Sequence, residues 1–317
     1  MLSILSIVLP IFALTLVGWL ARRVGIFSPQ STTELNRFVV YLALPALLFD
    51  IVAKANFAQL WQPRFVAVFA VSTFLFFVLT VAVSRIMGRP IGNAAILGLN
   101  ASYSNTAFLG FPLLLATLGP ASQTLTLIAT INTVCVLFAL AIVLIEFGNQ
   151  KSGNPAVIAL RVGQALFRNP LVLAPLAGAA VMASGIGVAA PLDAFLKLLG
   201  SAASPCALVC LGMFLAEPRD KGEGAGAGAG AAGETVALVA LKLFVYPALT
   251  LALALWVIPL PAALRHAAVL LAALPTGTGP FMLAEFHRRE GALTAKVILA
   301  STVLSVGTVT LLLSLLG

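Results

Sequence analysis

Charged residues are scarce in this chain of 317 residues: only 9% are Asp, Glu, Lys or Arg, whereas 61% are hydrophobic. A soluble domain carries roughly 25% charged residues, so the composition excludes a soluble globular protein. The formal net charge is +8, but the basic residues lie singly or in pairs between apolar stretches. Nucleic-acid binding needs basic residues gathered on one face, so we expect a lipid bilayer as partner and no nucleic acid.

Histidine and cysteine are also rare. Cys135, Cys206 and Cys210 lie in apolar stretches away from both histidines, so neither a disulfide framework nor a metal site is indicated. The His-Glu-x-x-His motif of zinc proteases is absent. His266 and His287 lie at the ends of apolar stretches, where neither is placed to activate an intramembrane serine. We therefore expect no enzyme activity and no cofactor.

Two further absences concern the start of the chain and a glycine-rich run. The first twenty residues lack the basic beginning of a signal peptide, so we interpret them as a retained first helix. Residues 222–233 consist mainly of Gly and Ala, but no Gly-Lys-Ser/Thr element follows. They predict a flexible linker. Residues 154–168 predict an amphipathic helix on the cytoplasmic surface.

Ten apolar stretches are long enough to cross a bilayer, at roughly 20 residues per span. They cover residues 2–21, 38–53, 65–86, 91–118 and 125–147, and then 170–190, 194–216, 235–257, 262–286 and 293–316. The second stretch is short, so we expect its helix to extend back towards Glu34. The fold class predicted is an all-α, polytopic membrane protein with ten transmembrane helices.

The two halves of the chain share a spacing of 160 residues. Gly18 and Gly178 keep this offset, as do Gly25 and Gly185, and so do the prolines at positions 10 and 170 and at 45 and 205. A repeat of five spans places its second copy upside down in the membrane, as in many secondary transporters. We predict a 5+5 inverted repeat: residues 1–148, a cytoplasmic linker at 149–169, and residues 170–317.

Spans 4 and 9 are interrupted. Residues 100–112 read Asn-Ala-Ser-Tyr-Ser-Asn-Thr-Ala-Phe-Leu-Gly-Phe-Pro, and residues 274–280 read Leu-Pro-Thr-Gly-Thr-Gly-Pro. Ser and Asn favour local side-chain-to-backbone bonds over continued helix, and the helix-breaking prolines are Pro112, Pro275 and Pro280. A break at membrane depth must face protein or water. Two interrupted spans in matching positions indicate a transporter's binding site, and a pair of kinked packing helices is the alternative.

Where two broken helices cross, their second halves begin with exposed N–H groups and positive partial charge. This geometry suits a carboxylate without a buried Arg or Lys. We expect Asn105 and Thr276 at the centre of the substrate site. The residues beside them complete the candidate set: Ser104, Thr106, Gly277 and Thr278.

Several polar residues keep two interpretations. Asn105 either binds the ligand or only caps a helix. Asn132 either lines the site or bonds a neighbouring helix, and Tyr103 either covers a ligand or packs. Asn105 and Thr130 could supply oxygen ligands to sodium, whereas no acidic residue stands at the midplane to carry a proton. The sequence leaves the coupling ion and the direction of transport open.

Acidic residues inside spans are functional candidates by default, yet those in this chain lie near span ends. Asp50 stands four residues before Lys54, which favours a rim ion pair. Glu285 and His287 end the ninth span beside two arginines. This pattern favours a cytoplasmic interfacial cluster over a proton relay.

Lysine and arginine are distributed unevenly between the two sides of the membrane. Fourteen of the 18, including Lys242, fall on odd-numbered loops and their helix ends; the other four are Lys54, Arg64, Lys197 and Arg265. Cytoplasmic loops are enriched in basic residues. We therefore predict a multi-pass protein of the cell (inner) membrane with both termini outside, or periplasmic.

These breaks resemble those of the auxin efflux carrier family, which includes plant PIN-type carriers and bacterial permeases for malonate and malate. The resemblance rests on Ser104-Asn105, on Gly110-Phe111-Pro112, and on 274–277 (Leu-Pro-Thr-Gly) with Pro280-Phe281. Residues 44–49 (Leu-Pro-Ala-Leu-Leu-Phe) and 168–170 (Arg-Asn-Pro) are also similar. PIN-type carriers have Pro-Asn at the first crossover, where this chain has Ser104-Asn105. The long hydrophilic loop of many plant members is absent.

The resemblance implies a mobile domain that carries the crossed breaks, a scaffold domain and a homodimer. We assign spans 1, 2, 6 and 7 to the scaffold and spans 3–5 and 8–10 to the transport domain. The implied function is secondary transport of a small organic anion, a mono- or dicarboxylate, by an elevator-type alternating-access mechanism. Proton or sodium coupling is compatible with it. A channel or a non-transporting receptor on the same fold is the alternative.

Overall fold

The computed structural model describes residues 2–28, 30–55, 61–149, 160, 163–164, 167–217 and 229–316. Within these ranges the regular structure is helical, apart from one isolated β-bridge, so the all-α prediction is confirmed. The amphipathic helix predicted at 154–168 and most of the linker predicted at 222–233 lie outside the described residues.

The helices of the first half follow the predicted apolar stretches closely. They are α1, Leu2–Arg23; α2, Ser31–Ala53; α3, Pro63–Ile86; α4a, Ile91–Ser102; α4b, Thr106–Leu118; and α5, Ser122–Gly148. As expected, α2 begins before Phe38, and the fourth helix is interrupted between Ser102 and Thr106.

The helices of the second half differ from prediction at one start. They are α6, Pro170–Ser184; α7, Ala190–Ala216; α8, which begins with Ala229–Ala240 and continues to Val257; α9a, Ala262–Ala273; α9b, Gly279–Phe286; and α10, Gly291–Leu316. The linker prediction is wrong for residues 229–233, which open α8. Alanine is the strongest helix former, so the end of the run joins the apolar helix that follows.

Most of these helices suit a membrane by length and composition. Among the described residues, six continuous helices are long and apolar enough to cross one: α2, α3, α5, α7, α8 and α10. Shorter apolar helices are α4b, α6 and α9a. The arrangement is that of a multi-pass membrane protein.

Glycines bring α1 against α7 and α2 against α6. A Cβ on Gly18 would lie 2.1 Å from the carbonyl oxygen of Val209, and a Cβ on Gly178 would lie 2.8 Å from that of Phe49. Small residues allow membrane helices to approach this closely. Gly18 and Gly178, which are 160 positions apart, therefore make the same kind of contact, each between a helix of one half and a helix of the other.

The apolar core consists mainly of two clusters on either side of the helix breaks. One joins α2, α4a, α5, α7 and α9b and includes Leu48, Leu99 and Phe281. The other joins α3, α4b, α5, α8 and α9a and includes Phe69 and Leu114. The breaks in α4 and α9 lie where these two clusters meet.

Two polar groups at helix ends were predicted from the sequence. Lys54 forms an ion pair with Asp50, which confirms the rim pair, and a second one with Asp193.

At the end of α9b, Arg289 donates hydrogen bonds to the side-chain oxygens of Asn93 and Asn149. Burial, together with the nearby Arg289 charge, lowers the pKa of His287 to about 4, so this histidine is neutral at pH 7.

Candidate substrate site at the paired helix breaks

The two helix breaks meet through backbone hydrogen bonds. The Asn105 N–H donates to the Pro275 carbonyl (2.9 Å), and the Gly277 N–H donates to the Tyr103 carbonyl (3.2 Å). Ser104 and Thr276 lie between them as an isolated antiparallel bridge. Each break thus satisfies backbone groups that the other leaves open, as the bilayer requires. We call residues 103–105 and 275–277 the junction.

Thr276 ties the junction to two neighbouring helices. Its hydroxyl donates to the Asn100 carbonyl of α4a (2.8 Å), and its N–H donates to the Ser301 hydroxyl of α10 (3.2 Å). Asn100 in turn donates through Nδ2 to the Thr294 hydroxyl (3.0 Å). Thr276 is fully buried, and its hydrogen bonds hold the bridge in place.

A lysine of α8 lies behind the junction. Lys242 is fully buried, and its Nζ donates to the Ala272 carbonyl (2.6 Å) and to the Ser104 hydroxyl (2.9 Å). The Ser104 hydroxyl lies 3.4 Å from the same carbonyl and donates to it. Nζ also lies 4.7 Å from the centroid of the Tyr246 ring, the position of a cation–π contact. Lys242 therefore satisfies an open carbonyl at the end of α9a and fixes Ser104.

One sequence prediction about a basic residue is wrong at this point. Lys242 was assigned to a helix end on the cytoplasmic side. Because α8 starts at Ala229, Lys242 lies well inside the helix and not near its end. Removing it from the fourteen leaves thirteen cytoplasmic basic residues against four, so the basis of the predicted orientation is unchanged. The signal was available, since an ionisable residue inside an apolar span is functional by default.

A small cavity lies beside the junction. It has a volume of about 20 Å³, which is room for about one water and not for a carboxylate ligand. One wall is polar or glycine-rich and comes from Tyr103, Ser104, Asn105, Thr106, Gly277 and Thr278. The facing wall includes Leu44 and Leu47 of α2 and Ala203 and Ala207 of α7. A carboxylate ligand therefore does not fit between these two walls as they lie in this structure.

Two polar side chains of the cavity wall have no hydrogen-bond partner. The Asn105 amide makes no side-chain bond within the described residues, although Asn105 immediately precedes α4b. The capping interpretation of Asn105 is therefore not supported. Thr106 Oγ1 is buried and also unpartnered in this part of the chain. A buried polar group left unsatisfied costs roughly 1–3 kcal/mol, so a polar ligand that reaches the Thr106 hydroxyl would recover that energy.

Tyr103 packs and also forms part of the cavity wall. Its ring lies edge-on to Phe138, with the centroids 5.9 Å apart. A Cβ on Gly277 would lie 2.8 Å from the ring, and one on Gly279 would lie 2.6 Å from the Tyr103 hydroxyl. Gly277 and Gly279 therefore have to be glycine, because a side chain at either position would collide with Tyr103.

The predicted helix-breaking prolines occupy different positions. Pro280 lies in the first turn of α9b, where a missing N–H leaves no carbonyl unpaired. Pro112 lies inside α4b, where the π-helical turn Thr106–Gly110 passes into α-helix, and so it does not form the break itself. Pro275 contributes the carbonyl that accepts from Asn105. The breaks fall where the sequence places them.

Two predicted polar residues of α5 do not line the cavity. The Thr130 hydroxyl donates to the Thr126 carbonyl one turn earlier (2.8 Å). Asn132 Nδ2 is buried without a partner among the described residues. Neither residue is among those that line the cavity with Asn105. The described residues also contain no cluster of three His, Cys, Asp or Glu that could hold a metal.

π-helical turns concentrate around the site. The segments concerned are Val39–Ala43 before Leu44, Thr106–Gly110 after the junction, Ile131–Leu137 and Leu241–Val245. The last of these contains Lys242. Because such turns shift the register of a helix and occur frequently at functional sites, they mark the same region as the cavity does.

Two interrupted apolar helices that meet at a cavity are typical of membrane transporters. A family model described as "Membrane transport protein" matches residues 3–313. The chain belongs to the auxin efflux carrier family of membrane transporters, and the resemblance inferred from the sequence of its breaks is confirmed.

The relatives are bacterial and plant proteins. A protein of Rhizobium meliloti (strain 1021) named "Putative malonate transporter" is 31% identical over 321 residues, which cover 100% of this chain and 97% of that protein. "Auxin efflux carrier component 8" of Arabidopsis thaliana is 24% identical over 334 residues, 89% of each protein. "Uncharacterized transporter YfdV" of Escherichia coli (strain K12) is 26% identical over 214 residues, covering 66% of this chain and 67% of that protein.

Proposed function

We propose that this protein is a secondary transporter of a small organic anion, a mono- or dicarboxylate. The observation that carries the proposal is the pair of unpartnered groups on the cavity wall, the Asn105 amide and the Thr106 hydroxyl. They stand at the start of α4b, and α9b begins at the same cavity with Gly279. Two helix N-termini supply N–H groups and positive partial charge, which favour a carboxylate.

Lys242 strengthens this proposal from behind the junction. It contacts Ser104 directly, and Ser104 stands next to Asn105 in the cavity wall. This hydrogen bond fixes the position of the Ser104 hydroxyl in the wall that also carries Asn105. We assign Lys242 a positioning role, since Ser104 and not the lysine itself lines the cavity.

The transport mechanism that we propose is of the elevator type. A cavity this small needs a movement to admit a substrate, and its two walls differ in character. The wall from α2 and α7 is apolar, with Leu44, Leu47, Ala203 and Ala207, while the opposite wall carries the polar groups. We therefore keep α1, α2, α6 and α7 as a scaffold, against which the bundle of α3–α5 and α8–α10 moves.

The repeat, the oligomer and the orientation also remain proposals. Support for the 5+5 repeat comes from Gly25 and Gly185, which have the same offset as Gly18 and Gly178 and both adopt a left-handed backbone, with φ of 80° and 68°. The homodimer follows from the family alone, and a monomeric mass in detergent would count against it.

Orientation in the cell (inner) membrane can be tested with single cysteines in a cysteine-free variant. Ser28, in the exposed loop after α1, is predicted to be cytoplasmic, and Ala121, in the exposed loop after α4b, is predicted to be outside. An impermeant thiol reagent added to intact cells should label Ala121→Cys and not Ser28→Cys. If Ser28→Cys is labelled and Ala121→Cys is not, the protein has the opposite orientation.

The function itself is tested by uptake into proteoliposomes. We expect saturable, accumulative uptake of malonate or a related carboxylate under an imposed membrane potential, proton gradient or sodium gradient. Asn105→Asp should lower uptake by about tenfold or more, because it keeps the size of the side chain and adds a negative charge beside the anion. Asn132→Asp is the matched control, since Asn132 does not line the cavity.

The outcomes of this experiment separate the alternatives. Uptake by Asn105→Asp equal to that of the parent protein would show that the anion-site assignment is wrong. Flux that never saturates and never exceeds the imposed gradient would favour a channel. A protein that binds carboxylates without any flux would favour the receptor.

A further inference from the structure

A much larger cavity lies outside the junction, between α3, α8 and α10. Its volume is about 1010 Å³. α3 and α8 are in contact where the rings of Phe76 and Tyr246 stack, 5.4 Å apart. Towards the end of α3 and the start of α8, the two helices line opposite sides of the cavity. We call this space the lateral cleft.

The side chains at the outer edge of the lateral cleft are apolar and exposed. On α3, Leu79 and Val83 are 50% and 54% exposed, and Ala237 on α8 is also exposed. In a membrane protein such surfaces face acyl chains. The inner part of the cleft is also apolar, with Leu97 and Leu293. Apolar walls gain dispersion contacts from an apolar occupant, so an acyl chain is the occupant that these walls favour.

The other end of the lateral cleft carries charge of both signs. Arg89 Nη2 donates to both carboxylate oxygens of Glu234 (2.7 and 2.9 Å), and Arg89 Nη1 lies 3.4 Å from Glu290. Asn93 also donates to Glu290 (2.7 Å). Lys296 of α10 lines the same cleft but forms no ion pair within the described part of the chain. The two basic and two acidic groups sum to zero charge.

We propose that the lateral cleft binds one phospholipid with a zwitterionic ethanolamine headgroup. The lipid phosphate pairs with Lys296, the headgroup ammonium donates to Glu234 or Glu290, and one acyl chain lies between α3 and α8. Lys296 has no ion pair within the described residues, so its ammonium group can pair with a lipid phosphate. A net charge of zero at the cleft matches a headgroup of net charge zero. An anionic headgroup would instead add a negative charge beside two carboxylates.

The position of the cleft connects this lipid to the transport machinery. Leu241 lines the lateral cleft and immediately precedes Lys242, which bonds to the junction on the other side of α8. A lipid in the cleft therefore supports the π-helical segment Leu241–Val245 from the membrane side.

Native mass spectrometry of the full-length protein tests the proposal. Purified protein is mixed with phosphatidylethanolamine or phosphatidylglycerol of the same acyl chains, at equal concentrations. We expect one retained phosphatidylethanolamine, preferred by about fivefold or more over phosphatidylglycerol. Lys296→Gln should reduce its retention by about fivefold, whereas Lys197→Gln, at an exposed lysine paired with Asp193, should not.

A second pair of variants tests the acyl-chain position. Ala237→Trp places a large side chain in the lateral cleft, because Ala237 lines it and is exposed, and it should abolish retention. Val236→Trp, one position away and outside the cleft lining, is the control and should bind as the parent does. Equal retention of both headgroups, binding that survives Ala237→Trp, or no retained lipid in the parent protein would each overturn the proposal. The last result is expected if another part of the chain fills the cleft.

Discussion

The two helix breaks are alike in sequence and differ in what they offer a ligand. The first break presents the Asn105 amide and the Thr106 hydroxyl to the cavity, and neither has a partner among the described residues. At the second break, the bridge residue Thr276 uses its hydroxyl on the Asn100 carbonyl. The second break instead contributes glycines that accept the ring of Tyr103. The two breaks therefore contribute unequally to the cavity.

The helices behind the two breaks differ in the same way. α8 sends Lys242 to Ser104 of the first break. α3, which holds the matching place in the first half, has arginines only near its ends, Arg64 and Arg85. Basic character is therefore supplied from one half of the chain to the break of the other half. The predictions that follow test this division of roles.

The largest effect is expected from removing the lysine. Lys242→Met keeps an unbranched side chain but deletes the donor to the Ala272 carbonyl and to Ser104. Two buried hydrogen bonds at roughly 1–1.5 kcal/mol each correspond to a loss of about a hundredfold in transport rate, at ~1.4 kcal/mol per decade. The measurement is initial carboxylate uptake in proteoliposomes. Lys197→Met, at an exposed helix position, is the control and should stay within about twofold of the parent. Parent-like uptake by Lys242→Met would mean that the lysine only fills space.

The next effect separates the two breaks directly. Asn105→Ala should weaken carboxylate binding about tenfold to a hundredfold, because a hydrogen bond to a charged group is worth roughly 1.5–3 kcal/mol, and it should leave the melting temperature nearly unchanged. Thr276→Val should do the reverse: it leaves the Asn100 carbonyl without its donor and lowers stability by about 1–2 kcal/mol, while affinity changes little. Both variants are measured by ligand binding and thermal melting in the same detergent. The opposite pattern would transfer the ligand site to the second break.

The parts of this architecture that the sequence predicts are those determined by the chemistry of residues close together in the chain. Ser104, Asn105 and Pro275 disfavour a continuous helix through local effects that do not depend on tertiary contacts. The breaks and the helices around them are therefore predictable. Asp50 and Lys54 are one helical turn apart, so their ion pair is predictable too. The contact between Thr276 and Asn100 joins residues 176 positions apart, and no local pattern contains it. Lys242 was misplaced because the predicted span began at residue 235, which put the lysine near a helix end, whereas α8 begins at Ala229.

The smallest effect concerns the glycines of the second break. In Gly277→Ala, the added Cβ would lie 2.8 Å from the Tyr103 ring and 3.3 Å from Asn105 Cα. The ring has little room to move, because Phe138 and Gly279 hold its other sides. The bridge must therefore loosen, and we expect a loss of about 1–2 kcal/mol in the free energy of unfolding, as for other overpacked sites.

The matched control is Gly307→Ala in α10, where an added Cβ meets nothing within 4 Å. Alanine is a better helix former than glycine by about 1 kcal/mol, so this variant should be as stable as the parent or more so. Thermal melting of both variants in one detergent gives the comparison. If Gly277→Ala has the same melting temperature as Gly307→Ala, the close packing of Tyr103 on the second break is not a feature of the folded protein. If it melts lower but binds carboxylate normally, the second break supports the site without contacting the ligand, as the asymmetry between the two breaks requires.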